Sequence, residues 1–464
     1  MQQYTNRTFD EIEVGATDRI VRTLTATDVE AMALAAGDVE AFHLDLTPGA
    51  VAEVATAPAA AAVALVAGLL NRRLPGPGSA IVGTRLHYAG KVRAGDTLTV
   101  VVTARAKHAQ GQCIEFDCRC TNADNDELVH GIVTVAAPSQ RLAYTNIATP
   151  EVVLRRNDGL ARLLRKCESL EPIVCAVVHP CDLPSLQGAV EAARRDLIIP
   201  VLVGPETKIR AVAAAAGIDL GSWRIVDTPH SHAAADRAVA LARAGEVEAL
   251  MKGSLHTDEL MEAVVPLTTG LRTERRISHV FVMDVPAYPR TLMITDAAIN
   301  IAPDLAAKAD ICQNVINLAH LLGNDNPKVA ILSAAETVNP KIESTLHAAA
   351  LCKMADRGQI TGGTLDGPLA FDNAVSLEAA RTKGIVSEVA GQADILLVPD
   401  LESGNMIAKQ LTYLAGADSA GIVLGTRVPI VLTSRADNVR TRLASTAVMA
   451  LVAHDRRAKL LPRT

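Results

Sequence analysis

The pattern of apolar and polar positions changes near residue 145. Before that point one apolar run with helical spacing, about Ala57–Asn71, sits among segments that alternate with a period of two. Those segments, Ala80–Leu86, Asp96–Ala106, Cys113–Thr121 and Leu128–Val135, predict long strands with one buried face. Arg93-Ala-Gly-Asp96 and Asn122-Ala-Asp-Asn125 supply turn chemistry between strands. One helix among antiparallel strands predicts an α+β domain over residues 1–145.

Ala137-Pro-Ser-Gln140 and Tyr144–Pro150 read as a linker, and beyond it the alternation disappears. Short apolar runs take its place: Ile173–Val178, Ile198–Val203, Glu248–Met251, Val329–Leu332, Ile395–Val398, Ile422–Leu424 and Ile430–Leu432. Such runs suit strands buried on both faces. Helical patterns fall between most of them, as at Leu183–Arg195, Ala233–Ala244, Ile342–Arg357 and Asn405–Ala415. This order predicts an α/β doubly wound, mostly parallel sheet over residues 151–464, long enough for two subdomains.

Composition narrows the picture. A chain of 464 residues is too long for one ordinary domain. Aromatic residues make up 2%, so the cores are aliphatic. The 45 basic and 51 acidic side chains give a net charge of -6, no reason to expect nucleic acid or a membrane surface as partner. Anionic ligands then need local basic pockets. The longest apolar run, Ala57–Leu70, is too short and Ala-rich to span a bilayer, and the polar, acidic amino terminus is no secretory signal. The eight cysteines lack zinc-site spacing and read as reduced thiols of a cytoplasmic protein without a metal.

Candidate chemistry lies in loops that follow strands, where doubly wound sheets bind ligands. In Met251–Thr257, amides near Gly253 and Ser254 could meet an anion at a helix start, with Lys252 adding charge; a plain helix entry capped by Thr257 is the alternative. In Ile294–Asn300, Asp296 and Asn300 stand among apolar neighbours and need polar partners, while Asp304 reads as a helix cap. Pro399–Asn405 joins a strand to a helix, so Gly404 and Asn405 would leave amides free for phosphate unless they form only a turn. In Leu432–Asp437, Arg435 offers a charged donor fork and Ser434 a hydroxyl for a developing oxyanion or thiolate. No Walker loop, nucleophile elbow or dinucleotide glycine fingerprint stands at the proper place.

From about Pro172 to Arg457 the chain resembles the phosphate acetyl/butyryltransferase family. The resemblance runs through Met251–His256, Arg276-Ile-Ser-His279, Val282-Met-Asp284, Thr295–Asn300, Val329–Ser333, Gly362–Leu369, Pro399–Asn405 and Thr433–Arg435. It implies conversion of acyl-CoA and inorganic phosphate to acyl phosphate and CoA, with no cofactor, metal or covalent enzyme intermediate. By this resemblance Ser434 stabilises the transition state and Arg435 holds phosphate or the CoA end. Lys252, Ser254, His256, Asp296, Asn300, Gly404 and Asn405 would bind substrate. Acetyltransferases of the family carry an Asp seven residues after the Ser to deprotonate the thiol; Thr441 stands there, leaving Asp437 and Asp296 as substitutes. The wording around Met251–Thr257 and Leu365–Asp372 looks closer to the butyryl branch.

Residues 8–136 resemble the MaoC-like, R-specific enoyl-CoA hydratases of the hot-dog fold. Phe9–Gly15, the loop carrying Asp38 and His43, Leu74-Pro-Gly-Pro-Gly78 and Val92–Asp96 bear the likeness. It implies that Asp38 and His43 activate a water and that the unit pairs with another copy, as a homodimer or larger. The chain departs from that family at Glu40 and Ala41, where Asn-Pro is usual, and at Thr56-Ala-Pro-Ala59, where His-Gly is usual. Three readings follow: a bifunctional hydratase and acyltransferase, an acyltransferase whose hot-dog domain only binds acyl-CoA or dimerises, and a regulator that binds CoA esters without turnover. A metal- and NAD-dependent decarboxylating dehydrogenase is the fold-level rival for the larger domain.

Overall fold

The computed structural model describes residues 3–37, 60–145, 159–433 and 437–460. The chain divides into two compact units, Met1–Leu154 and Arg155–Thr464.

The first unit holds β1 (Gln3–Thr5), β2 (Thr17–Thr23), α1 (Ala26–Ala36), α2 (Ala60–Arg72), β3 (Ala80–Tyr88), β4 (Thr97–His108), β5 (Cys113–Thr121), β6 (Glu127–Ala136) and β7 (Ala143–Thr145). Five strands form an antiparallel sheet in the order β2-β4-β5-β6-β3. Every second residue of β5, and of β4 as far as Ala104, is buried, including Val100, Val102, Ile114 and Phe116. That face packs against Ala62, Leu65, Val66, Leu69 and Leu70 of α2. Burying each large side chain contributes about 1.5–3 kcal/mol. An antiparallel sheet packed on one helix is the arrangement expected of a hot-dog domain. Thr25 and Asp28 start α1 with a reciprocal capping box, and Gly37 ends it with a left-handed φ of 70°.

The second unit continues with α3 (Gly159–Cys167), β8 (Ile173–Val178), α4 (Leu183–Arg194), β9 (Ile198–Gly204), α5 (Glu206–Ala215), β10 (Arg224–Asp227), α6 (Ser231–Arg243), β11 (Ala249–Lys252) and α7 (Thr257–Val264). Then come β12 (Ser278–Asp284), β13 (Thr291–Thr295), α8 (Leu305–Leu321), β14 (Lys328–Leu332), α9 (Glu343–Asp356), β15 (Thr364–Leu369), α10 (Phe371–Val375) and α11 (Leu377–Thr382). Last are β16 (Ile395–Leu397), α12 (Leu401–Tyr413), β17 (Asp418–Leu424), β18 (Ile430–Val431) and α13 (Val439–Leu460).

Its strands form one sheet in the order β10-β9-β8-β11-β18-β17-β12-β13-β16-β14-β15. Both flanks are parallel, as the apolar runs predict. The centre is not: β18–β17, β17–β12 and β12–β13 pair antiparallel. These reversals make β13, β16, β14 and β15 run opposite to β8, β9, β11 and β18. Helices cover both faces, and aliphatic clusters fill the layers between. Among the described residues, no helix is long and apolar enough to cross a membrane.

Candidate functional site

The loops after β8, β11 and β18 meet at the carboxyl ends of adjacent parallel strands. Gly253 sits so close to the Val178 and His179 carbonyl oxygens that a Cβ would collide with both. Its amide donates to the Val178 carbonyl at 2.8 Å, and the Ser254 amide donates to His179 at 2.9 Å. The expectation that these two amides face an anion is therefore corrected: they fasten one loop to the next. The Ser254 hydroxyl donates to the His179 carbonyl at 2.9 Å, lies 3.3 Å from the His179 ring Nδ1 and accepts from the Cys181 amide at 3.2 Å. The helix cap is His256, not Thr257, with its amide on Glu259 at 3.5 Å.

Two buried cations reach the end of β18. Lys252, 3% exposed, donates from Nζ to the Thr433 carbonyl at 3.3 Å. Arg442, in the first turn of α13 and 5% exposed, donates from Nη1 to the Thr433 hydroxyl at 2.8 Å. Its Nε donates to the Asp437 carbonyl at 3.3 Å. Arg442 thus holds both neighbours of the segment 434–436. Ser434 and Arg435 themselves lie outside the described residues, as do Asp38, His43, Pro58 and the 56–59 stretch.

The other candidates gather around the strand ends of the opposite flank. Asp296, 2% exposed, accepts from the amides of Ala298, Ile299 and Asn300 at 2.9, 3.0 and 3.2 Å and from Asn300 Nδ2 at 2.5 Å. Burial still pushes its carboxyl up from the ordinary range, against those donors. Asn300 also donates to the Ile277 carbonyl at 2.8 Å and accepts from Arg276 Nε at 2.7 Å. Gly404 and Asn405 are not in a loop, because Asp400 caps α12 and the helix starts at Leu401. The Gly404 amide donates to Asp400 at 3.2 Å, so it is not free for phosphate, which corrects that expectation. A Cβ at Gly404 would stand 2.8 Å from the Asp296 carbonyl oxygen and 3.1 Å from Ala297 Cα. Asn405 Nδ2 donates to the Ala297 carbonyl at 3.2 Å. Asp296, Asn300, Gly404 and Asn405 thus lock one another, with α12 pressed onto the 296–300 turn.

The two groups stand apart along the strands. Leu432 approaches Gly421, which pairs with Phe281, while Asn300 bonds Ile277 ahead of β12. Four residues at the strand rise separate those levels by about 13 Å.

Comparison with known proteins bears on what this arrangement serves. The family described as Phosphate acetyl/butaryl transferase matches residues 231–450, inside the second unit. The phosphate acetyltransferase of Rhizobium meliloti is 67% identical over 297 residues, which cover 64% of this chain and 94% of that protein. The chain belongs to the phosphate acetyl/butyryltransferase family. The phosphate butyryltransferase of Clostridium acetobutylicum is 43% identical, over 63% of this chain and 97% of its own length. A solved branched-chain phosphotransacylase from Enterococcus faecalis V583 shares the fold at a TM-score of 0.53 and 31% identity, covering 61% of this chain and 99% of its own.

In this phosphate acyltransferase fold, several polar residues near the strand ends escaped the sequence reading. Arg442 is one, a residue the sequence patterns do not single out. His179 is another: it takes a left-handed φ of 54°, and burial beside Lys208 pulls its imidazole down. Such a φ on a residue other than Gly is uncommon and has no signature in a single sequence. His279 on β12 is 1% exposed with no hydrogen-bond partner for Nδ1 among the described residues, and burial pulls its ring to about 4, so it is neutral near pH 7. Lys308 in the first turn of α8 is 4% exposed and donates to His347 Nδ1 at 3.1 Å. The eight thiols are free, and Cys118, Cys175 and Cys312 are buried.

Proposed function

We propose that the carboxy-terminal unit transfers an acetyl, butyryl or similar short acyl group between coenzyme A and inorganic phosphate. A phosphate oxygen attacks the thioester carbonyl carbon, the new C–O bond forms, and the C–S bond breaks. CoA leaves as the thiolate and takes the proton given up by phosphate, so acyl phosphate and free thiol result. Ser434 would donate to the oxyanion or to the departing sulfur, and Arg435 would hold the phosphate. Preorganised donors of this kind often supply the largest catalytic share. The observation that carries the reading is the pair of buried cations on Thr433. Lys252 and Arg442 fix the residue ahead of Ser434, and Arg442 also fixes the carbonyl after Ala436. The test is release of free thiol from acetyl-CoA and from butyryl-CoA, with and without phosphate. Release that needs phosphate, and no divalent metal or nicotinamide, supports the reading; phosphate-independent release or none overturns it.

For the amino-terminal unit we infer hydration of a 2-enoyl-CoA. The support is its antiparallel sheet wrapped around one helix, together with the Asp38 and His43 loop of the sequence. An Asp and a His aimed at one water can add its oxygen and its proton across an activated double bond. Hydration of crotonyl-CoA that is lost in His43→Ala supports this. No hydration by the intact protein leaves the unit a binding or dimerisation module.

A further inference from the structure

Toward the carboxyl end of α13 lies a cavity of about 330 Å³, large enough for a small organic ligand. Its walls come from the loop ahead of β12, α8, the turn between β17 and β18, and the last turns of α13. Four cations line it, Arg275, Arg427, Arg456 and Lys459, against one carboxylate, Asp455. Lys459 donates to Asp455 at 2.6 Å, so that carboxylate is engaged. The three arginines remain. Arg275 and Arg427 stand exposed at the mouth, and neither side chain forms an ion pair with a described residue. Arg456 reaches inward. Its Nη1 is buried with no hydrogen-bond partner among the described residues, and burial pulls the guanidinium down to about 10.

The backbone holds these cations together. The Thr273 hydroxyl donates to the Gly425 carbonyl at 2.8 Å, and the Arg427 amide donates to the Leu271 carbonyl at 2.8 Å. Gly425, at a left-handed φ of 78°, lies so close to Arg276 that a Cβ would collide with its carbonyl oxygen. Asn314 of α8 donates to that carbonyl and to the Ser278 hydroxyl, both at 2.9 Å. The loop carrying Arg275 is thus fastened to the turn carrying Arg427 and to α8. Guanidiniums fixed around one cavity repel one another, and a buried one without a counter-charge is costly. An anion placed among them relieves both penalties. The cavity is separate from the cations on Thr433, because the α-helical rise puts Arg456 about 21 Å along α13 from Arg442.

We propose that this cavity binds an organic diphosphate, with the phosphates among Arg275, Arg427 and Arg456 and the uncharged remainder on Leu318, Leu321, Leu424 and Val452. Guanidinium forks match phosphate oxygens in pairs. One phosphate monoester carries a charge of about -1.5 to -2 near pH 7, too little to balance three cations, and two joined phosphates carry roughly twice that. The four aliphatic side chains give the organic part an apolar wall that inorganic diphosphate cannot use.

The test is calorimetric titration of the full chain at low salt with ADP, AMP and pyrophosphate as probes. ADP should bind at least ten-fold more tightly than AMP, which lacks the second phosphate, and more tightly than pyrophosphate, which lacks the organic part. Arg427→Gln and Arg456→Gln should each weaken ADP about ten-fold or more. Arg210→Gln, on α5 and paired with Glu206, should leave the affinity unchanged and so exclude a general effect of charge. ADP should also raise the melting temperature of the unaltered protein and not that of Arg456→Gln. Without ADP, Arg456→Gln should melt no earlier than the unaltered protein, since it removes a buried charge that lacks a partner. No binding of ADP at millimolar concentration overturns the proposal. ADP affinity that survives both cavity substitutions puts the nucleotide elsewhere and overturns it too. So does a drop in sedimenting mass in those variants without a change in ADP affinity, which would assign the cations to carboxylates of a second copy.

Discussion

Replacing Arg442 by Met tests whether the segment 434–436 is held in place by its two neighbours. The guanidinium makes a 2.8 Å bond to the Thr433 hydroxyl and a 3.3 Å bond to the Asp437 carbonyl, both from a side chain 5% exposed. Hydrogen bonds to a charged group contribute about 1.5–3 kcal/mol each. The longer one belongs at the lower end, so the clamp amounts to about 3–4 kcal/mol. A reacting group displaced by about 1 Å costs roughly 100-fold in rate, close to 2.7 kcal/mol. The clamp is therefore strong enough to enforce that placement. Arg442→Met should lower kcat about 100-fold with a smaller change in the KM for phosphate. Arg442→Lys keeps the charge but not the fork, and should recover about a tenth of the activity. The assay is initial-rate thiol release at saturating acyl-CoA and phosphate, with circular dichroism and thermal melting to count folded protein. If Arg442→Met melts earlier but keeps kcat within two-fold per folded molecule, Arg442 is only a structural pin and the positioning argument is wrong.

Other perturbations separate packing from chemistry. Gly188→Ala places a Cβ 2.9 Å from Arg442 Cδ, so it should reproduce the Arg442 defect in weaker form, about ten-fold in kcat by the same assay. Gly404→Ala should destabilise by about 1–3 kcal/mol in urea titration without altering the KM for phosphate; the reverse pattern would restore the anion-binding reading of that glycine. His279 titrates near 4 in the folded chain and near 6.5 when unfolded, so the folded state binds fewer protons between those values. Its contribution is full above pH 6.5 and is lost as pH falls toward 4, about 3 kcal/mol in all. His279→Phe should flatten that part of a stability-against-pH curve, and an unchanged curve would show that His279 is not responsible.

Strand and helix positions were largely legible because burial on both faces leaves continuous apolar runs. Cys113–Thr121 and Ile173–Val178 fall where the pattern places them; α4 differs from expectation by one residue at its end and α9 by one residue at each end. The central reversal was not legible. Ser278–Asp284 and Thr291–Thr295 include His279, Asp284 and the terminal threonines, which dilute the apolar signal, and strand direction leaves no trace in a run of six residues. Helix α12 begins four residues before the expected Asn405, because Asp400 was read as part of a loop when it is the cap. That error made two helical residues, Gly404 and Asn405, look like phosphate ligands. Polar residues in the strand-end loops were found by type. Their partners were not, because the bond from Lys252 to Thr433 spans 181 positions and the one from Arg442 reaches from a helix back across the loop before it.

The place of β18 between β11 and β17 has a consequence for how the protein is made. The ribosome delivers this interior strand of the sheet after both its neighbours, since Ile430 and Val431 follow every other described strand in the chain. Until they emerge, β11 and β17 each present a bare backbone edge, and such edges invite pairing with other chains. A nascent chain stalled before residue 430 is thus both inactive and adhesive. Premature stops or slow codons in that stretch should produce aggregates that proteases clear, not shortened enzymes.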